Sequence, residues 1–202
     1  MKNGRILEDL REILALRPPR LLSGEENSGL VRAGVVVPLF DLQGTPHVLL
    51  IRRSMKVPHH KGQISFPGGR MEPQDASLEE TALREAQEEI GLKSRDVELL
   101  GRIDDARTVS SGFLIQPVVG IIPHPYPFIL NPAEVAGLLA APLEHFGPFP
   151  PPNPAIHDQG KMYPGPTYIY RGEVIWGATA RILMNLARII HGVDCPLPLR
   201  RG

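Results

Sequence analysis

Two runs, Phe66-Pro67-Gly68-Gly69-Arg70-Met71-Glu72 and Arg84-Glu85-Ala86-Gln87-Glu88-Glu89-Ile90-Gly91-Leu92, carry the densest chemical signal in the 202-residue chain. The second run has the spacing of a helix over 77–90, closed by Gly91 as a left-handed C-terminal cap. With Glu85 at 0° and about 100° per residue, Glu89 falls near 40° and Glu88 near 300°, so three carboxylates share one face. Ala82, Ala86, Ile90 and Leu83 fall at about 60°, 100°, 140° and 160°, forming an adjacent apolar face. Carboxylates crowded beside a core repel one another unless cations neutralise them. Hard oxygen donors at this density suit Mg²⁺ or Mn²⁺, which take a few carboxylates and fill their remaining positions with water or phosphate oxygens. The glycine turn at Gly68-Gly69 lets the backbone approach a metal or phosphate closely. A plain solvated acidic face is the competing reading of the helix alone, and the glycine turn weighs against it.

Around this centre the pattern alternates between short strands and helices. Ile6, Leu7, Leu10, Ile13 and Leu14 predict an amphipathic helix over 4–16, ended by Pro18-Pro19. The apolar, β-branched run 33–40 and the run 48–51 predict a hairpin through a turn at 42–45. Residues 61–72 form a glycine-bearing loop. Strands are expected at 97–103, 114–122 and 167–170, a short helix at 132–139 and a last helix at 174–190. Prolines crowd residues 142–166, with a run at Pro150-Pro151-Pro152, which predicts a long loop of polyproline character packed on the same domain. The expected fold class is α+β, a mixed sheet between helices, in one domain over 1–202 with residues 1–30 as a helix-and-loop extension.

Composition narrows the function classes. Apolar residues at 42% and charged residues at 22% indicate a globular chain. Lys plus Arg and Asp plus Glu are both 22, so net charge offers no case for nucleic acid or an anionic membrane. No apolar run approaches the ~18 residues of a spanning helix. Glu8 and Asp9 interrupt the opening segment, so no secretory signal is expected. The single Cys195 permits no internal disulfide, as suits a reducing cytoplasm, and it has no visible base partner.

Gly69, Arg84, Glu85, Glu88, Glu89, Gly91 and Leu92 resemble the Nudix box, the signature of hydrolases that cleave nucleoside diphosphates linked to another moiety. Arg84 follows Asp75 by nine residues rather than the usual eight, a spacing similar to that of the coenzyme A pyrophosphatase branch. Leu49-Leu50-Ile51-Arg52-Arg53-Ser54, His60 and 62–69 resemble that branch's upstream signature, and 175–183 its last helix. Pro58 stands where the branch usually has an arginine. The resemblance implies a Nudix-type mixed sheet sandwiched between helices, with Glu85 and Glu89 as principal ligands of Mg²⁺ or Mn²⁺. It implies Glu88 as a further ligand or polariser of a metal-bound water, and Arg84 as a catalytic partner that can pair with Glu88 four residues on. The implied activity is hydrolysis of coenzyme A or its derivatives to 3′,5′-ADP and a 4′-phosphopantetheine species by a cytoplasmic enzyme, and a homodimer is compatible with it.

Charge along the chain adds an independent argument. Between Asp41 and Glu72 there is no acid, while Arg52, Arg53, Lys56, Lys61 and Arg70 supply +5, with His59 and His60 in reserve. Cations beside a glutamate face suit a polyanion docked next to metal ions. Arg52, Arg53, Lys56 and Lys61, with Gly68 and Gly69, are therefore the expected substrate-binding residues. Phe66 is the only aromatic nearby, so stacking with a nucleic acid is poorly supported. The general base stays open. Glu134 and Glu144 are candidates that read first as ordinary surface acids, His124, His145 and His157 read as surface polar groups, and Trp176 reads as core. Two rivals remain: the same chemistry on ADP-ribose or dinucleoside polyphosphates, and a non-catalytic nucleotide-binding module.

Overall fold

The computed structural model describes residues 5–23, 29–108, 112–149, 156–158, 161–163 and 165–193. In chain order the elements are α1 (Ile6–Leu16), β1 (Val31–Leu42), β2 (Thr45–Arg53), β3 (Ile64–Ser65), β4 (Gly68–Arg70), α2 (Leu78–Ile90), β5 (Glu98–Arg102), β6 (Ala106–Arg107), β7 (Phe113–Ile121), β8 (Val135–Pro142), β9 (Ile156–Asp158), β10 (Lys161–Tyr163), β11 (Tyr168–Tyr170), β12 (Glu173–Ile175) and α3 (Gly177–Ile190). β1 lies at the centre of an eight-stranded mixed sheet, parallel to β7 and antiparallel to β2.

Residues 33–40 of β1 are buried without interruption, because helices cover both faces of the sheet. The period-two alternation sorts the side chains into two cores. Val35, Val37, Leu39, Val48 and Leu50 face α1 and α3, meeting Leu10, Leu183 and Leu186. Val36, Phe40, Leu49 and Ile51 face α2, meeting Ala82, Ala86 and Ile90. A mixed sheet between helices is the fold class expected from the sequence.

The site exists because the β1–β2 hairpin splays. The two strands pair only from Leu39↔Val48 to Leu42↔Thr45. Beyond that point β3 pairs with β2 at Ile51 and Arg52, while β4 pairs with β1 at Ala33, Gly34 and Val35. The amide of Val36 donates to the carbonyl of Pro67 at 3.0 Å, closing the fork. The glycine-bearing loop is thus drawn into the sheet directly beneath α2. Gly34 lets the helix sit close: a Cβ there would lie 2.0 Å from the carbonyl oxygen of Leu78, which no repacking of side chains relieves.

Residues 132–139, expected as a short helix, instead turn at Asn131 and form β8. The composition of 136–141 (Ala-Gly-Leu-Leu-Ala-Ala) favours a helix, but ladder pairing with β2 from His47↔Pro142 to Arg53↔Val135 prevails. The last helix begins at Gly177 rather than 174, because Glu173–Ile175 pairs with β11. Within the proline-dense stretch, Leu143–His145 makes a 3₁₀ turn and β9 pairs with β10; Pro150-Pro151-Pro152 lie outside the described residues. No helix among the described residues is long and apolar enough to cross a membrane.

Candidate active site

α2 is fixed at both ends before its acids do anything. Ser77 accepts from the amide of Glu80 at 3.1 Å, and Gly91, at φ 69°, donates back to the last turn. With Ala82, Ala86 and Ile90 fully buried, Glu85 and Glu89 turn towards β4, while Glu88 stays exposed at the rim.

Glu89 is 1% exposed. Its Oε2 accepts from the amide of Gly68 at 3.0 Å, and its Oε1 lies 3.7 Å from Nη1 of Arg53. Burial pushes its pKa up to about 8, with the charges of Glu85 and Glu134 adding to the rise; the Gly68 amide and Arg53 only partly oppose it. Burial likewise raises Glu85, helped by Glu88 and Glu134 and opposed by Arg84. Gly69 makes room for it: a Cβ there would stand 2.4 Å from Cδ of Glu85.

Arg84 organises the acids. Its Nε and Nη2 grip both oxygens of Asp75 at 3.0 and 3.1 Å, Nη2 also donates to the carbonyl of Arg70, and Nη1 lies 3.1 Å from Glu85 and 3.0 Å from Glu88. Asp75 is itself buried and accepts from Oγ1 of Thr81 and the amide of Glu72, both at 2.9 Å. The Arg84 guanidinium holds the Asp75 carboxyl well below the usual range, and Asp75 in turn raises Arg84. The nine-residue Asp75–Arg84 offset therefore spans the turn into α2 and places Asp75 against the arginine.

These groups open onto a cavity of about 830 Å³. Glu85, Glu89 and Glu134 line it together with Arg53, Gly68 and Gly69, and His59, His60, Trp176 and Arg181 line it as well. Glu134 reaches it from the turn into β8, its Oε1 accepting from Nδ2 of Asn131 at 3.0 Å, and Asn131 in turn donates its amide to the carbonyl of Glu89. Arg52 is exposed and paired with Glu173, and Lys56 and Lys61 are exposed outside the lining. Pro58 lines the cavity at the position where an arginine was expected from the resemblance. Glu144 is exposed away from it, and His124 stacks on Phe40 while His145 packs against Phe146 and Tyr170. The side chain of His157, and Cys195, lie outside the described residues.

Sequence reasoning missed two cavity residues. Trp176, expected in the core, is half-buried against the cavity because β12 ends just before it. Arg181 falls within the run 175–183 that resembles the branch's last helix, but one arginine in an apolar helix carries no spacing signal of its own. Glu134, a candidate base that reads first as a surface acid at the end of an expected helix, instead sits in the turn before β8 and lines the cavity.

Among the described residues no three His, Cys, Asp or Glu side chains converge into a closed metal cage. The buried Glu89 and half-buried Glu85, sharing an open cavity, instead suit a hard divalent cation that keeps water and substrate oxygens in its other positions. The buried Glu89 carboxyl, answered by the Gly68 amide at 3.0 Å and Arg53 at 3.7 Å yet still raised to about 8, is the feature that asks for one.

The NUDIX domain family matches residues 30–164. A Nudix hydrolase NudL of Yersinia enterocolitica, described as uncharacterised, is 37% identical over 197 residues, covering 94% of this chain and 96% of the relative. Its counterpart in Yersinia pestis is 39% identical over 158 residues, 78% of each chain. Among solved structures, a MutT/nudix family protein from Enterococcus faecalis superposes with a TM-score of 0.54 at 15% identity, over 94% of this chain and 73% of that one. The MutT protein of Methanosarcina mazei Go1 gives 0.50 at 17% identity, over 89% and 99%. The chain belongs to the Nudix hydrolase family.

Proposed function

We propose that the protein hydrolyses the diphosphate bridge of coenzyme A or its derivatives, releasing 3′,5′-ADP and a 4′-phosphopantetheine species, with Mg²⁺ or Mn²⁺ held by Glu85 and Glu89. The observation that carries the chemistry is the buried Glu89 and the half-buried Glu85 opening on one large cavity beside Gly68 and Gly69. A divalent ion there supplies charge neutralisation at phosphate oxygens and a more acidic water. The chain's own residues do the rest. The glycine turn leaves backbone room for the diphosphate, and Arg53 presents a cation to the same space. Arg84 and Asp75 keep Glu85 and Glu88 in place. Glu134 faces the same cavity with one oxygen occupied by Asn131, so its Oε2 is the group we assign to take the proton of the attacking water. The water oxygen bonds to one phosphorus, the bridging P–O bond breaks, and its electron pair leaves with the other phosphate.

The coenzyme A substrate rests on the resemblance of 49–69 and 175–183 to that branch; the cavity volume fits a ligand of this size. Incubating the protein with coenzyme A and Mg²⁺ is expected to release phosphopantetheine. No release from about pH 6 to about pH 10, while ADP-ribose or a dinucleoside polyphosphate is cleaved, would overturn the substrate and leave the chemistry standing.

A further inference from the structure

Three arginines line the cavity, and they differ in what answers their charge. Arg53 faces Glu89, and Arg70 is exposed to solvent. Arg181, on the first turns of α3, is half-buried and pairs with no acid among the described residues. Its Nη2 donates to the carbonyl of Arg107 at 3.2 Å, its Nε is buried without a partner among the described residues, and its Nη1 lies beside Gly165. Burial alone acts on it, lowering its pKa, with no carboxylate to compensate. A cation kept in that setting costs free energy that a neutral side chain of similar length would not. The same wall of the cavity holds the start of α3, where Trp176 supplies no side-chain cap and the amides of Gly177 and Ala178 begin the helix. The hydroxyl of Thr179 is turned away to the carbonyl of Ile64. A guanidinium without an acid partner among the described residues, lining the same cavity as the first residues of a 14-residue helix, suits an anion.

Of the basic segment read as docking a polyanion, Arg53 and Arg70 line the cavity, whereas Arg52 is tied to Glu173 and both lysines lie outside the lining. We propose that Arg181, backed by the first amides of α3, seats a phosphate monoester carried by the substrate away from the diphosphate that is cleaved. On the coenzyme A reading, on which this inference rests, that group is the 3′-phosphate. Trp176, beside the seat, offers an apolar wall to the nucleoside that bears it.

Calorimetric titration of the wild type with 3′,5′-ADP and with 5′-AMP separates this role from that of a mere prop for Arg107 and Gly165. The wild type is expected to bind 3′,5′-ADP about 10- to 100-fold more tightly than AMP. In Arg181→Met the preference falls to about twofold or less, and Arg181→Lys, which keeps the charge but not the fork, lies between. The kcat/KM ratio of coenzyme A to its 3′-dephospho form should fall in step, through KM more than kcat. Equal affinity of the wild type for the two nucleotides would overturn the seat, as would an equal loss for both in a folded Arg181→Met. An Arg181-dependent preference for 3′,5′-ADP without coenzyme A cleavage would sink the substrate reading alone. Cleavage with no such preference would sink only the seat.

Discussion

Glu89→Gln is expected to lower metal-dependent turnover by about 10³-fold while leaving the metal-free protein at least as stable as the wild type. The two effects share one cause. The wild-type carboxylate is 1% exposed, and burial raises its pKa to about 8. The folded protein therefore holds a proton on Glu89 that the unfolded chain gives up near the ordinary 4.5. For this group metal-free stability is full below 4.5 and falls as pH rises through about 8. Glutamine keeps an acceptor for the Gly68 amide and never acquires the buried charge. Melting curves of metal-free wild type and variant should thus converge near pH 5 and separate in the variant's favour towards pH 9. Added Mg²⁺ should restore the wild type at high pH and leave the variant unmoved. A variant with wild-type turnover, or one that melts lower than the wild type at every pH, would remove Glu89 from the metal site.

Asp75→Ala should cost about 3 kcal/mol and lower turnover about 10- to 100-fold, although Asp75 does not line the cavity. The buried carboxylate accepts two bonds from Arg84, one from Thr81 and one from the Glu72 amide. Without it Arg84 loses its strongest anchor and is left to pull on Glu85 and Glu88. The sign with pH runs opposite to Glu89. Because Arg84 depresses the Asp75 pKa below 3.8, its stabilisation is present above that value and lost as pH falls. The difference in melting temperature between wild type and variant should hold from neutral pH down to about pH 4 and shrink below it. Urea titrations with activity assays on the same samples check both parts. A stability loss with unaltered kcat and KM would reduce Asp75 to a structural anchor.

What the sequence made legible was whatever a short period encodes. The continuous apolar run 33–40 announced a buried strand, and the 100° wheel put Glu85 and Glu89 on one side of α2 with the apolar face beside them. It overstated Glu88, which the same wheel grouped with them but which the structure leaves 55% exposed at the rim and paired with Arg84. Long-range pairing was out of reach. The residues 136–141 have helical composition, and only the ladder with β2 makes them a strand and swings Glu134 to the cavity. The splayed hairpin, which carries Gly68 to within hydrogen-bond reach of Glu89, likewise depends on where β3 and β4 find partners. Charge counting along 41–72 found a basic segment but not its targets: Arg53 met Glu89, whereas Arg52 met Glu173.

The most direct measurement is anomalous diffraction from crystals of the protein saturated with Mn²⁺. The expected result is a peak in the cavity in coordination contact with carboxylate oxygens of both Glu85 and Glu89, absent from Glu89→Gln crystals. A cavity with no such peak in crystals that still turn over substrate, or a manganese ion bound by other side chains, would contradict it.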